Sequence, residues 1–504
     1  MGRTSACLLA CVAACAGACA RATRGADGRG GPVVARSTAV RDATGEGTAA
    51  TLRGGESGAA APANEHPDGA AAGPERDGDP AGARGEAELT VHDGERLAPT
   101  GADDAIPAAD EPPEAATPDS PAPPDGGAAA CLGDPPSDPA PWVIGYYVRR
   151  RRSPYAPEKI QWRALTHLAV GPAVPRADGS LDTSSLQDEG EAEDTDPTRS
   201  THSTHSPHPA DDLVVRAHAA GVGALLFVGG GETHDAWAAA AADELRAGFV
   251  AALVRWARDE HGFDGLDLDW EPMRQADHDD FRSLAEDLRA AWPEAILTVP
   301  VVHHNVNLVA IDPFWAKVAP LFDRIDIMSY GMAGEYPGWL SWHASALHGA
   351  VHDSPTSIAD SVEAYLAAGV PAAKLGIGIG FYGVCYTPPV AGPREELRGG
   401  RIAAADVDMS YRNIMTRYFE SEAWRWDDEA KSPYLSFVEP KGPMGCGYIS
   451  YEDARSIAER AAYVKAKGLG GAIVWSIEQG YLPREEEGAR DPLMDALAAC
   501  FLGR

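Results

Sequence analysis

The chain has 504 residues, with 43 Lys and Arg against 75 Asp and Glu and a formal net charge of -32. Phosphate contact needs a basic surface, so no nucleic-acid partner is expected. Beyond the first twenty or so residues no run is long and apolar enough to span a bilayer.

At the extreme N-terminus Arg3 precedes a short apolar run, Ala6 to Ala18, followed by polar sequence. That run is too short for a membrane span and reads as an export signal over residues 1–18. Small residues precede Cys15 (Val12-Ala13-Ala14) and Cys19 (Ala16-Gly17-Ala18), as at bacterial lipoprotein cleavage sites. Cys19 leaves the longer apolar region and is the lipidation candidate, with simple cleavage and free secretion as the alternative. Either route predicts an exported protein, at the cell surface or released. Residues 19–140 are dominated by Ala, Gly, Pro, Asp and Glu, with almost no aromatics and no Lys or Arg from Leu97 through Val148. Such a stretch buries too little apolar surface to offset its ordering entropy, so a disordered acidic linker without a binding role is predicted.

From Trp142 onward the pattern changes. Short apolar runs bounded by Gly or Pro, such as Leu165 to Val170 and Ala295 to Val301, alternate with helical stretches at Ala240 to His261, Asp280 to Trp292 and Ile358 to Ala368. This is the βαβ pattern of a parallel sheet. Eight strands in about 360 residues fit a (β/α)8 barrel over residues 141–504, whose active site lies at the C-terminal ends of its strands.

The most informative run is Asp264-Gly265-Leu266-Asp267-Leu268-Asp269-Trp270-Glu271. Acids at alternate positions share one face of a strand at a spacing of roughly 6.6 Å, while Leu266, Leu268 and Trp270 face the other way. Crowded carboxylates raise the pKa of at least one member, which suits a general acid near neutral pH. A calcium loop is the competing reading. Counting from Asp267, however, its obligatory sixth-position Gly is Pro272, and the interleaved residues are bulky hydrophobes. The loop from Asp182 to Asp212 carries His202, His205 and His208 among Ser, Thr and Pro, and reads as a mobile loop with no assigned function. No C-x2-C spacing exists, and neither metal nor cofactor is expected.

The acidic run resembles the DxxDxDxE signature of glycoside hydrolase family 18, the chitinase-like enzymes with a (β/α)8 barrel. The resemblance recurs in order along the chain. Trp142-Val143-Ile144-Gly145-Tyr146-Tyr147 is similar to the family's first strand, Phe227-Val228-Gly229-Gly230 to its third, and Asp326-Ile327-Met328-Ser329-Tyr330 to its sixth, with the MxY element. Lys374 to Gly383 resembles the seventh strand, and Gly468 to Ser476 the turn into the eighth. Residues 383–448 resemble a shortened α+β insertion after strand seven, with Trp426 and Tyr434 in its WDxxAxxPY-like element.

The resemblance implies retaining, substrate-assisted hydrolysis of β-1,4-linked N-acetylglucosamine glycans. Chitin or its oligomers are the first substrate; peptidoglycan and the chitobiose core of N-glycans share the acetamido chemistry. Glu271 would be the acid and then the base. Asp269 would orient the acetamido N–H, Asp267 would share a proton with Asp269, and Tyr330 would hydrogen-bond the acetamido oxygen. Trp475 would floor the subsite holding the distorted sugar. Tyr146, Met328, Trp339 and Trp342 are further substrate-binding candidates, the last two in a loop, with His343, that resembles the family's aromatic loop after strand six. Two departures stand out. The family usually has Ser at the place of Phe227, where it helps hold the proton on the inner Asp, and an Asp at the place of Gly331. The other functional class is a non-catalytic carbohydrate-binding lectin on the same barrel; such barrels usually lose the acid equivalent to Glu271, which this chain keeps.

Four of the eight cysteines lie in the signal region, and the remaining four suit an oxidising compartment. A closed barrel brings its ends together, which pairs Cys131 with Cys500; Cys385 and Cys446 bracket the insertion and are paired with each other. A monomer is expected, touching a membrane only through an N-terminal lipid.

Overall fold

The computed structural model describes residues 131, 141–148, 154–187, 208–305, 310–336, 338–350 and 356–504. The signal with Cys15 and Cys19, the 19–140 linker apart from Cys131, and His202 and His205 lie outside the described residues.

Fourteen strands are described: β1 (Trp142–Val148), β2 (His167–Pro175), β3 (Leu181–Asp182), β4 (Gly223–Gly230), β5 (Gly265–Trp270), β6 (Ile296–Val302), β7 (Arg324–Met328), β8 (Leu375–Gly380), β9 (Tyr382–Tyr386), β10 (Ile402–Ser410), β11 (Trp424–Asp427), β12 (Ser432–Lys441), β13 (Cys446–Ser450) and β14 (Gly471–Trp475). Eight of them pair in parallel in the order β1-β14-β8-β7-β6-β5-β4-β2, and β2 returns to β1, closing a (β/α)8 barrel. Short β3 forms an antiparallel hairpin with β2.

Alternation along each strand divides the apolar side chains into two cores. Leu226 and Val228 of β4, with Leu266, Leu268 and Trp270 of β5, pack outward against the helices, where Phe281 is fully buried. Removing a ring such as that of Phe281 costs about 3–5 kcal/mol. Inside the barrel a smaller cluster gathers Ile144, Tyr146, Leu225, Phe227 and Ile473. Inward positions of β5 are the acids Asp267 and Asp269, so the polar column stands in an apolar tube.

Helices cover the outer face as the pattern predicts. His278–Ala291 and Ile358–Ala367 match two of the expected segments, while the third runs as Asp243–Val254 and continues in a wider π turn over Arg255–Glu260. Ser357 caps the helix Ile358–Ala367 by accepting the Asp360 N–H at 3.1 Å. Ahead of the helix Ala454–Lys467, Asp453 accepts the Ser456 N–H at 2.8 Å while the Ser456 hydroxyl accepts the Asp453 N–H at 2.9 Å. That helix ends on Gly468 at φ 63°.

Two boundaries differ from expectation. β7 stops at Met328 because the Ser329 hydroxyl donates to the Gly378 carbonyl at 3.0 Å and accepts the Gly378 N–H at 2.8 Å, taking over backbone groups that a longer strand would have paired. Tyr330 is thus swung onto the loop just past the strand. In the expected Asp182–Asp212 loop, residues 184–186 form a 3-10 turn and Pro209 opens a helix with Asp211 and Asp212 in its first turn.

β9 to β13 make the insertion, an antiparallel sheet in the order β10-β9-β13-β12-β11 with the helix Tyr411–Arg417 beside it. A disulfide joins Cys385 to Cys446 on the neighbouring strands β9 and β13, and a second joins Cys131 to Cys500 across 369 residues. No helix among the described residues is long and apolar enough to cross a membrane.

Candidate active site

Asp267 and Asp269 point into the barrel from β5 and are 1% and 5% exposed, and Glu271 follows at the strand's C-terminal end. The backbone of β4 comes in close to make room for them. Gly229 sits at φ 100°, and a Cβ there would lie 2.1 Å from the Asp269 carbonyl oxygen, so no larger residue fits. That same carbonyl accepts the Trp237 indole N–H at 3.1 Å, which pins the strand end.

Burial pushes the Asp267 carboxyl up to about 6, against two hydroxyls that favour its ionised form. Tyr146 donates to Oδ2 at 2.7 Å, and Thr298 of β6 donates to Oδ1. Asp269 is held well above the usual carboxylate range, first by burial, then by the charges of Glu271 and Asp267 and by a hydrogen bond to Glu271 that favours its protonated form. Both oxygens of Asp267 are engaged by neutral hydroxyls, and Asp269 turns toward Glu271. One atom of the column stays open: Oδ1 of Asp269 is buried without a hydrogen-bond partner.

Aromatic rings close the mouth around this column. Tyr330 is 7% exposed, and burial, together with Tyr382 and the three acids, keeps its hydroxyl protonated far above the ordinary range. Tyr382 of β9 packs edge-on against it, with ring centroids 6.0 Å apart. Trp475, at the end of β14 and only half-buried, meets the edges of Tyr146 and Phe227 at 5.5 and 5.9 Å. Met328 is half-buried beside the same cluster.

The aromatic loop after β7 departs from expectation. Trp342 is fully buried, donates its indole N–H to the Thr356 carbonyl at 2.7 Å and lies under the Arg394 guanidinium at 4.8 Å. It fastens the loop internally and is corrected from a sugar contact to a packing residue. Trp339 is 9% exposed and covered by Tyr336 at 4.5 Å, leaving little of its face for a ligand. His343 is also buried, between Asp427 at 3.0 Å and Ser450 at 3.2 Å. In the insertion, the Arg455 guanidinium stacks over the Trp426 ring at 3.8 Å, and Tyr434 packs edge-on against Tyr448.

Three groups near the column escaped sequence reasoning: Thr298, Tyr382 and Asp326. Each stands on a different strand from the acidic run: Thr298 is in register with Asp267, Asp326 is on β7, and Tyr382 reaches Tyr330 from β9 of the insertion. His208 gathers with Asp211 and His261, whose ligand atoms all lie within 4.8 Å of one another. Hydrogen bonds already account for the trio: His208 Nδ1 accepts the Ala210 N–H at 3.1 Å, which leaves its proton on Nε2, and His261 meets Asp211 at 2.7 Å. A hollow of about 610 Å³ lined by His218, Arg258 and Trp292 opens beside the starts of β4 to β6, at the end of the barrel away from the column.

A family model described as glycosyl hydrolases family 18 matches residues 143–480. The chain belongs to that family. Chitinase A1 of Niallia circulans is 30% identical over 282 residues, covering 48% of this chain and 38% of that protein. The endochitinase of Manduca sexta is 28% identical over 265 residues, covering 46% of each chain. The family 18 chain thus spans less than half the length of these relatives. Among solved structures, the Group IV chitinase of Ostrinia furnacalis shares 21% identity at a TM-score of 0.57, over 72% of this chain and 100% of the other. The chitinase of Rhizomucor miehei shares 24% at 0.53, over 71% and 99%. Both show the same barrel fold.

Proposed function

We propose that this family 18 barrel hydrolyses β-1,4-linked N-acetylglucosamine glycans with retention of configuration, using the substrate's own acetamido group as nucleophile. The observation that carries the reading is the open, buried Oδ1 of Asp269 beside the Asp269–Glu271 hydrogen bond, an acceptor set for an acetamido N–H next to an acid set for the glycosidic oxygen. Glu271 gives its proton to that oxygen and the bond to C1 breaks. The acetamido carbonyl oxygen bonds to C1 and closes an oxazolinium ring, with Tyr330 donating to the same oxygen. The charge left on Glu271 is spread onto Asp269 through their hydrogen bond, beside the ring's positive charge. Water then adds to C1 as the C1–O bond of the oxazolinium ring breaks and frees the acetamido group, and it yields its proton to Glu271. Asp267 remains the anion at the foot of the column, and Trp475 stacks on the apolar face of the distorted sugar.

The names of the relatives, chitinase and endochitinase, make chitin and its oligomers the first substrate to test. Glu271→Gln should lower turnover at least ~10²-fold while oligomer binding survives, because the cleft keeps its shape. Retention of more than roughly a tenth of the rate would remove Glu271 from the role of acid. Two disulfides suit an exported protein, here carried to the cell surface by lipidation of Cys19. Cys19→Ala should shift the protein from the membrane fraction to the medium, and an unchanged distribution would reject the anchor.

A further inference from the structure

Three residues stand level on adjacent strands of the barrel. Phe227 of β4 pairs in register with Asp267 of β5, which pairs with Thr298 of β6. In-register neighbours on parallel strands point the same way, so Asp267 has a benzyl group on one side and a hydroxyl on the other. Thr298 is fully buried, and its hydroxyl donates to Asp267 Oδ1 while Tyr146 holds Oδ2. A buried carboxylate keeps its charge only through such donors.

We infer that Thr298 is a positioning residue of the acid column, whose hydroxyl supplies from β6 the support that Phe227 cannot give from β4 and so fixes Asp267 as the anion beneath Asp269. The inference rests on the hydrolytic reading and extends it. The titratable groups facing Asp267 are Tyr146 from β1, Asp269 on its own strand, Asp326 from β7 and Tyr330 just beyond β7. Three of these disfavour a further negative charge or offer nothing to offset it, which leaves the two hydroxyl donors to hold it. Without the Thr298 hydroxyl, Asp267 competes for the proton that belongs on Asp269, and Asp269 loses the donor with which it shares charge with Glu271.

The test is the pH profile of kcat for T298V, T298S, F227S and F227S/T298V on a soluble oligomer. T298V is expected to lower kcat ~10-fold, to leave KM within about twofold and to move the acid limb up by about one pH unit, since Asp267 is then harder to ionise. T298S should restore both. In the double variant a serine in register with Asp267 should recover part of the rate. F227S alone, adding a donor, should move the acid limb down, which gives a readout even where T298V does not fold. A T298V enzyme with the parental rate and limb, a T298S enzyme as impaired as T298V, or an F227S limb that does not move would each overturn the inference. If Glu271→Gln meanwhile abolishes turnover, the hydrolytic reading stands without it; if Glu271→Gln stays active, that reading falls first.

Discussion

Two acid sites, the column in the barrel and Asp427 in the insertion, are pushed in opposite directions. In the barrel, burial and neighbouring carboxylates hold Asp269 well above the ordinary range, and the hydroxyls on Asp267 only partly offset its burial. In the insertion, burial also works to raise Asp427, but His343, the Ala430 N–H and Arg394 outweigh it and hold the group below the ordinary range. Glu452, just past β13, behaves like the column, raised to about 7 by burial although Arg460 is paired with it at 2.7 Å. Burial alone does not decide what an acid does; the outcome depends on how far the donors and cations turned toward it outweigh that burial. The column is arranged to hold protons, and Asp427 is arranged to hold loops together.

The strongest test of that contrast is Asp269→Asn. It removes the acid proton that the Asp269–Glu271 hydrogen bond holds, and turnover should fall ~10³-fold. Affinity for a thiazoline mimic of the cyclic intermediate should fall in parallel, since an amide cannot take over the charge of Glu271 and present it to the ring. Fully deacetylated chitosan should scarcely react with the parent enzyme, having no carbonyl to attack C1. Efficient cleavage of chitosan, or a covalent sugar trapped on a side chain, would reject substrate assistance.

The matching change in the insertion should act on stability instead. Asp427→Ala removes the shared acceptor of His343, of the Arg394 guanidinium and of the Ala430 N–H, leaving Arg394 with Glu429 alone and His343 with Ser450 and Tyr448. Unfolding free energy from denaturant titration should drop by about 3 kcal/mol, the low end for breaking a buried pair. The rate per folded molecule on a short oligomer should stay within about twofold. A collapse of kcat with unchanged stability would erase the distinction between the two regions.

How much of this was legible beforehand follows the same division. The column could be read because alternation is a property of one strand, and the order of motifs placed β1, β4, β7, β8 and β14 around it. Thr298 could not be read, since a Thr between Leu297 and Val299 is what any buried strand contains, and its partner is set by register 31 residues away. Trp342 misled for the opposite reason: an aromatic in a loop beside a cleft fits sugar stacking, and only the carbonyl of Thr356 and the overlying Arg394 reveal it as packing. The start of a helix at Pro209 was hidden within the His-rich stretch, where His208 Nδ1 accepts the Ala210 N–H. Asp326 lay inside a quoted motif, yet no spacing rule announces that its carboxyl enters the barrel.

Asp326 supplies the smallest and most specific prediction. It is 2% exposed, one of its oxygens has no hydrogen-bond partner, and burial pushes its carboxyl up to about 8 despite Arg324 nearby. Gly376 lies in register beside it, where a Cβ would come within 1.8 Å of the carboxyl. Below about pH 4 both folded and unfolded chains carry the proton. As pH rises toward 8 the unfolded chain releases it while the folded chain retains it, so this group costs stability progressively across that window, and the loss levels off above it. Asp326→Asn cannot titrate and should escape the decline. Its melting temperature relative to the parent should therefore climb between pH 4 and pH 8, reaching a gain of roughly 4 °C at pH 9 over the difference seen at pH 4. A constant offset across that range would mean that Asp326 is ionised in the folded barrel, with Arg324 and not the proton carrying its charge balance.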